Sequence, residues 1–452
     1  MLPGHRVHNL AIFTDLYELT MLQAYVEVGM QEQATFSLFT RRLPKRRNYL
    51  LACGLDDVLS YLESLRFDEE SLEYLASLGM FKDSFLTWLR DFRFTGDVHA
   101  VLEGTPVFAN EPILEITAPI AEAQLAETFI VNQIHLQTTL ASKAARVVTA
   151  ARGRAVVDFG ARRIHGTDAA IKAARAFYIA GVAATSNVLA GKIYGLPVTG
   201  TMAHSFVQAW DDEKDAFRSF VRLYPDTVLL VDTYNTLEGV GRVCELAREL
   251  GDHFKVRAVR LDSGDLAELA WQARKILDEA GLARVEIFAS SGLDEDVIDE
   301  LVTGGAPITG FGVGTKMGVS EDAPSLDIAY KLCAYAGEGR VKLSTGKPVL
   351  PGRKQVFRIE EGGRAVRDVI ARADQHLDGR PLLHLVMAGG QRTDCGATDL
   401  NQARRRAREE LGLLPDRIQR LAPADPPYPV LVSDRLRAYR EGIIRKFEGQ
   451  FT

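Results

Sequence analysis

Between residues 155 and 312 the chain repeats one phrase: a short apolar run that ends in small or acidic residues, then a stretch with helical spacing. The runs occupy residues 155–159, 183–187, 198–201, 227–232, 256–262, 285–290 and 308–312. Three successive runs end at Asp232, Asp262 and Ser290, which are 30 and 28 residues apart. That spacing holds a strand, a helix and two loops, the period of βαβ units. Seven such strands joined mostly by helices predict a parallel sheet curled into an α/β barrel. Two of the helices can be read residue by residue. Asp265 and Glu268 have capping-box spacing, Leu266, Leu269, Ala270, Ala273 and Leu277 make one apolar face, and Gly281 stops the helix. Asp294 caps the next, with Val297, Ile298, Leu301 and Val302 turned inward before Gly304.

The flanking sequence lacks this beat. Leu16, Leu19, Leu22 and Tyr25 have helical spacing, residues 35–40 alternate like a strand, acidic leucine-bearing helices lie between Leu55 and Arg90, and proline-marked strands fill 98–119. Residues 1–150 therefore predict an α+β domain, and 151–325 the barrel. Residues 326–452 carry alternating strands at 330–335, 340–344 and 355–359, which either complete the first domain or form a small antiparallel appendage. A helix over 400–413 sets Arg404, Arg405, Arg406 and Arg408 beside Glu409 and Glu410 as a solvated surface.

Composition removes other classes. With 452 residues, 46% hydrophobic and 25% charged, the chain has room for two or three cores. Its 54 basic against 60 acidic residues leave a net charge of −6, which offers no broad attraction to nucleic acid or to anionic membranes. Cys53, Cys244, Cys333 and Cys395 form no CxxC pair, which argues against a disulfide framework or a structural zinc and for a reducing cytoplasm. The longest uncharged stretch, 193–210, is broken by Gly195, Pro197 and Gly200, so it is not a membrane span, and no cationic, apolar leader opens the chain.

In a parallel barrel the C-terminal strand ends form one rim, where catalytic groups collect. Singly, each rim residue has an ordinary explanation: Gly312 and Gly314 suit tight turns, Asp262 or Asp265 can cap a helix, and His204 can be structural. Together they combine carboxylates, arginines, glycine-rich loops and one histidine on one edge. Residues 310–316 are suited to cradling a phosphate, with Lys316 adding charge. Asp262, beside Ser263 and Gly264, offers a carboxylate to sugar hydroxyls or to magnesium. Phe159 either stacks on a flat ring or fills the core.

The ordered motifs resemble those of the nicotinate phosphoribosyltransferase family over nearly the whole chain. They run from the stretch Thr14 to Met21, through Phe159-Gly160-Ala161-Arg162-Arg163, the stretch Thr185 to Ala190, Ala203-His204-Ser205 and Val231-Asp232-Thr233-Tyr234. They continue with the stretch Arg260 to Asp265, Phe311-Gly312-Val313-Gly314-Thr315 and the stretch Pro351 to Val356. The resemblance implies a type II phosphoribosyltransferase fold, an irregular α/β barrel joined to an α+β domain, working as a homodimer with shared sites. It implies the joining of nicotinate to 5-phosphoribosyl 1-pyrophosphate, giving nicotinate mononucleotide and pyrophosphate, with Mg2+ as cofactor and ATP as co-substrate. His204 would be the phosphoacceptor, Phe159 and a neighbouring subunit's Tyr17 would hold the ring, and Arg162 and Arg260 would contact substrate. Asp262 would meet the ribose hydroxyls, and Gly292, Gly312, Gly314 and Thr315 the phosphate end. Thr185, Ser186, Thr201, Ser205, Ser263 and Gly264 complete the expected substrate positions. Asp232 is the expected acceptor for the second imidazole nitrogen of His204, since it ends the next strand.

Nicotinamide-using relatives carry aspartate where this chain has Ser186; an ionised aspartate repels a carboxylate substrate, whereas a serine hydroxyl donates to it. Asn235 departs from the family, standing where aspartate is common, and Ala203 precedes His204, so no carboxylate sits beside the histidine in sequence. The alternatives are a nicotinamide- or quinolinate-specific relative and a non-catalytic sensor of phosphoribosyl compounds. Aldolase chemistry would need a Schiff-base lysine, for which Lys316 is the rim's one candidate.

Overall fold

The computed structural model describes residues 10–343, 349–397 and 399–448. The chain divides into two compact units, Met1–Thr139 with Ser325–Thr452, and Leu140–Pro324. The first division falls inside the helix Glu127–Ala151, before residue 150. Among the described residues no helix is long and apolar enough to cross a membrane, and all four cysteines are free.

In the first unit, a seven-stranded antiparallel sheet mixes early and late segments. Gln33–Thr40 pairs with Ile328–Tyr335 on one side and Pro112–Pro119 on the other, and Asp97–Val101 pairs with Leu383–Ala388. Ile328–Tyr335 and Leu383–Ala388 therefore complete the first domain's sheet, whereas Lys354–Glu361, over the expected strand at 355–359, pairs with Arg364–Arg372 and Arg380–Pro381 in a separate four-stranded sheet. Residues 340–343 form no strand, the partner of Ile328–Tyr335 being Glu338–Gly339, and Ser344 lies outside the described residues. Gln33–Thr40 is buried on both faces after its first residue, so its polar alternates need partners. Thr35 meets the Thr117 hydroxyl at 3.0 Å, and Ser37 donates to Glu115. Lys354, from the last family-like motif, is buried against the same Glu115 at 2.9 Å.

The helix Leu400–Leu413 has the predicted bounds, but Glu410 is buried and turned inward. It accepts from Arg358 at 3.1 Å, while Arg358, fully buried, also grips Asp368 with two nitrogens at 3.0 and 2.7 Å. A buried guanidinium needs this matched fork of oxygens to offset its lost hydration. Arg406 donates to the Glu103 carbonyl at 2.8 Å, so only part of the arginine face is solvated.

The second unit is built on a six-stranded parallel sheet. In spatial order its strands are Ala184–Thr185, Ala155–Asp158, Gly310–Val313, Glu286–Ser290, Ala258–Leu261 and Val228–Leu230. The expected seventh run makes only a bridge, Val198 to Thr185, because Pro197 and Gly200 interrupt it. The sheet is a curled part-barrel with helices packed on it, and two of its strands, Val228–Leu230 and Gly310–Val313, are apolar and buried throughout. Those helices include Thr167–Ala180, Thr236–Leu250, Leu266–Glu279 and Glu295–Thr303. Asp265 and Asp294 cap the last two by accepting two backbone N–H bonds each. Gly239 touches the strand side so closely that a Cβ would stand 2.1 Å from the Val231 carbonyl oxygen. An ion cluster fixes the helix segment from residue 140 onward: Glu295, fully buried, meets Lys143 at 2.5 Å and Arg146 at 2.9 Å.

Candidate active site

Because all six strands are parallel, their C-terminal ends lie along one edge. Register aligns those ends: Asp158 stands opposite Val313 and Thr185, Ser290 opposite Gly312, and Leu230 opposite Arg260. His204 comes from outside the sheet, opening the short helix His204–Gln208.

The imidazole of His204 is half-exposed between two groups. Nδ1 lies 3.2 Å from the Thr233 hydroxyl, and Nε2 faces Asp262 Oδ2 at 3.6 Å, beyond hydrogen-bond length. Asp232 does not meet the histidine, which corrects the expected pairing. Its Oδ2 accepts the Asp262 N–H at 2.8 Å and the Ser263 hydroxyl at 2.6 Å, because the next strand's end lies closer to it than the His204 helix. Asp232 Oδ1 is buried without a hydrogen-bond partner. Ser290, buried at its strand end, donates to Asp262 Oδ1 and so leaves Oδ2 to face His204.

Arg260 links three parts of the edge. Nη2 donates to the Met202 carbonyl at 2.9 Å, Nη1 stands 3.8 Å from Asp262 Oδ1, and Cζ lies 5.8 Å from the Phe159 ring centre. Burial pushes this guanidinium down from its ordinary value, opposed by Asp262 and Asp232. Its Nε is buried and unpartnered. Arg162 is exposed, and its charge acts on Arg260.

Phe159 lies over Gly312: a Cβ there would stand 2.5 Å from the ring, so this glycine makes room for an aromatic rather than only turning the chain. The neighbouring Phe288 ring sits 6.2 Å away, tilted by 50°. Asp158 is fully buried and accepts the Gly160 N–H and the Thr185 hydroxyl, each at 2.7 Å. Thr185 in turn accepts the Asn187 N–H at 3.0 Å, so its hydroxyl is committed to the loop. Ser186 donates its N–H to the Asp158 carbonyl, while its half-buried hydroxyl makes no hydrogen bond among the described residues.

At the expected phosphate end, Gly314 precedes the short helix Thr315–Gly318, and Arg163 donates to the Thr315 hydroxyl at 3.2 Å. Lys316 does not add a bare charge: its amine meets Asp294 at 2.7 Å, which raises the lysine. Gly264 and Gly292 hold positive φ of 79° and 63° at the turns after their strands. Thr201 donates to the Met202 carbonyl at 3.2 Å, and Ser205 is exposed. Asn235, where the family often has aspartate, caps Thr236–Leu250 by accepting two N–H bonds. Tyr17 belongs to the first unit, on the helix Leu16–Glu27, with half its surface exposed. Burial, then Glu127 and Glu18, push its phenol well up.

Asp158, Thr233 and Ser290 were each visible as polar residues at strand ends, yet no spacing signal singles them out. Among the described residues no group of three or more His, Cys, Asp or Glu side chains is arranged to hold a metal. The available donors are the carboxylates of Asp232 and Asp262, which fit a magnesium ion that takes most of its oxygens from substrate and water.

Comparison with known proteins places the chain in a family. The nicotinate phosphoribosyltransferase N-terminal domain matches residues 12–135 and the nicotinate phosphoribosyltransferase family matches 154–360. The chain is 58% identical over 431 residues to nicotinate phosphoribosyltransferase pncB2 of Mycobacterium tuberculosis, covering 95% of this chain and 93% of that one. It is 41% identical over 392 residues to the nicotinate phosphoribosyltransferase of Bacillus subtilis, covering 84% and 80%. The crystal structure of human nicotinic acid phosphoribosyltransferase superposes with a TM-score of 0.84 at 27% identity, over 95% of this chain and 99% of that one. The fold is that of the type II phosphoribosyltransferases, and the chain belongs to the nicotinate phosphoribosyltransferase family.

Proposed function

We propose that the protein joins nicotinate to 5-phosphoribosyl 1-pyrophosphate in NAD biosynthesis and couples this to ATP hydrolysis through a phosphohistidine at His204. Family membership supports the transfer. The observation that carries the coupling is the setting of His204: a hydroxyl at Nδ1 and an Nε2 that no hydrogen bond occupies.

In the transfer, the pyridine nitrogen bonds to the anomeric carbon as the bond from that carbon to pyrophosphate breaks. The transition state is cationic at the sugar, so the carboxylate of Asp262 has the right sign to stand beside the ribose, whose hydroxyls it accepts. Phe159 takes one face of the ring, and Tyr17 of the partner subunit takes the other in a homodimer. Arg260 and Arg162 draw the nicotinate carboxylate, and the Ser186 hydroxyl donates to it. The backbone at Gly292, Gly312, Gly314 and Thr315, with Ser263 and Gly264, receives the phosphate end. Thr201 and Ser205 line the approach to His204. Bound Mg2+ supplies charge neutralisation for the leaving pyrophosphate.

In the coupled half-reaction, Thr233 accepts from the Nδ1–H and leaves the lone pair on Nε2. Nε2 attacks the γ-phosphorus of ATP, ADP leaves, and water later returns the phosphoryl group as inorganic phosphate. The partners are small molecules in the cytoplasm, with no nucleic acid or membrane required. Incubation with γ-phosphate-labelled ATP tests the coupling: an acid-labile label on His204, discharged by nicotinate with the phosphoribosyl donor, supports it. Full nicotinate-dependent ATP consumption by His204→Ala would remove the histidine from the reaction.

A further inference from the structure

We infer that Asp158 is a positioning residue for the pyridine site, fixing the spacing between the Phe159 ring and the Ser186 hydroxyl through its bonds to Gly160 and Thr185. The inference rests on the reading that nicotinate lies between Phe159 and Ser186. Asp158 is fully buried at the end of Ala155–Asp158, so it cannot touch substrate and acts through its neighbours.

Its bonds are divided between the two loops that matter. Oδ1 accepts the N–H of Gly160, the residue after Phe159, at 2.7 Å. Oδ2 accepts the hydroxyl of Thr185, the residue before Ser186, also at 2.7 Å. The Asp158 carbonyl accepts the Ser186 N–H at 2.9 Å, and the Thr185 hydroxyl passes the restraint on by accepting the Asn187 N–H at 3.0 Å. The Phe159 backbone is pinned from the other side by its N–H to the Val313 carbonyl at 2.9 Å. A Cβ at Gly160 would come 3.0 Å from Asp158 Oδ1, so the chain folds tightly over the carboxylate. An apolar side chain at 158 would leave a buried N–H and a buried hydroxyl without acceptors, and the two loops would lose their common anchor. Phe159 reads the flat ring and Ser186 reads the substituent on it, so the distance between them is a specificity parameter, and a shift of about 1 Å in such a parameter is costly.

The test is steady-state kinetics of Asp158→Asn, Thr185→Val, Thr185→Ser and Phe159→Ala in the full-length protein, with ATP and magnesium saturating. Asp158→Asn places an amide nitrogen where an acceptor oxygen is needed, and Thr185→Val removes the hydroxyl at constant shape. Both are expected to raise the KM for nicotinate at least tenfold and to cut the preference for nicotinate over nicotinamide by a similar factor. The KM for the phosphoribosyl donor should stay within twofold, and Thr185→Ser should return every parameter to within twofold of wild type. Should Asp158→Asn fail to fold, the Thr185 pair decides alone. A nicotinate KM within twofold in Thr185→Val, or equal losses for both substrates, overturns the inference. Phe159→Ala separates the two levels. If it raises the nicotinate KM while Asp158→Asn and Thr185→Val do not, the positioning role fails and the site stands. If it leaves the nicotinate KM unchanged, the ring site fails and the inference falls with it.

Discussion

Asp262, and not Asp232, is the carboxylate that faces His204, with Oδ2 3.6 Å from Nε2. Asp232 stands one step behind, holding the Asp262 N–H and the Ser263 hydroxyl. The two acids at adjacent strand ends therefore have separate tasks. One fixes a turn, and the other presents its charge to the histidine and to the space before it.

The Thr233 hydroxyl, 3.2 Å from Nδ1, is the hydrogen-bonding group that holds the imidazole on that side. Thr233→Val keeps the shape and deletes one neutral hydrogen bond, which is worth about 1 kcal/mol. Phosphorylation of His204 by ATP is expected to slow roughly five- to tenfold, with nicotinate binding unchanged by calorimetry. An unchanged phosphorylation rate would show that the hydroxyl does not orient the ring.

Gly312 has no space for a side chain under Phe159. In Gly312→Ala the ring must move, at a cost of about 1–3 kcal/mol in stability. The nicotinate KM is expected to rise roughly tenfold or more as the stacking face is displaced. A variant with wild-type melting temperature and KM would show that the ring is already mobile.

Ser186 leaves its hydroxyl available beside a backbone that Asp158 fixes. Ser186→Asp introduces a negative charge where the nicotinate carboxylate is expected. The kcat/KM for nicotinate should fall on the order of a hundredfold, and turnover of nicotinamide should become measurable. Unchanged nicotinate kinetics would place the substrate carboxylate elsewhere.

Glu18 is fully buried in the first unit and accepts from the Gln124 amide at 2.6 Å. Burial pushes its carboxyl up to about 7, a rise that Gln124 opposes and Glu127 adds to. The folded state thus keeps a proton that the unfolded chain loses near its ordinary value. The stabilisation is complete below the unfolded value and is lost as pH rises through about 7. Glu18→Gln, a neutral mimic of the protonated acid, should therefore gain on wild type as pH rises, by roughly 2 kcal/mol between pH 5 and 8. Thermal unfolding at both pH values checks this, and a constant difference between the two proteins would refute it.

The parallel edge was legible because hydrophobic runs and helix caps are local signals. Asp265 and Asp294 cap the helices predicted from them, and six of the seven expected strands formed. Residues 198–201 failed as a strand because their turn residues outweighed a short apolar run. Long-range pairing left little trace in the sequence. Nothing local marks Ile328–Tyr335 as the neighbour of Gln33–Thr40, or Glu410 as a partner of Arg358 rather than of the arginines beside it. The site behaved the same way. Its residue types were readable from the strand ends, but the choice between Asp232 and Asp262 for His204 depends on side-chain direction, which spacing does not encode.

The most direct test of the account is identification by mass spectrometry of the mononucleotide formed from equal concentrations of nicotinate, nicotinamide and quinolinate, with the phosphoribosyl donor and magnesium, in the presence and absence of ATP. Nicotinate mononucleotide is expected from nicotinate, with ADP released alongside it and a large fall in yield when ATP is withheld. Preferential formation of nicotinamide mononucleotide, or release of carbon dioxide from quinolinate without any need for ATP, would contradict it.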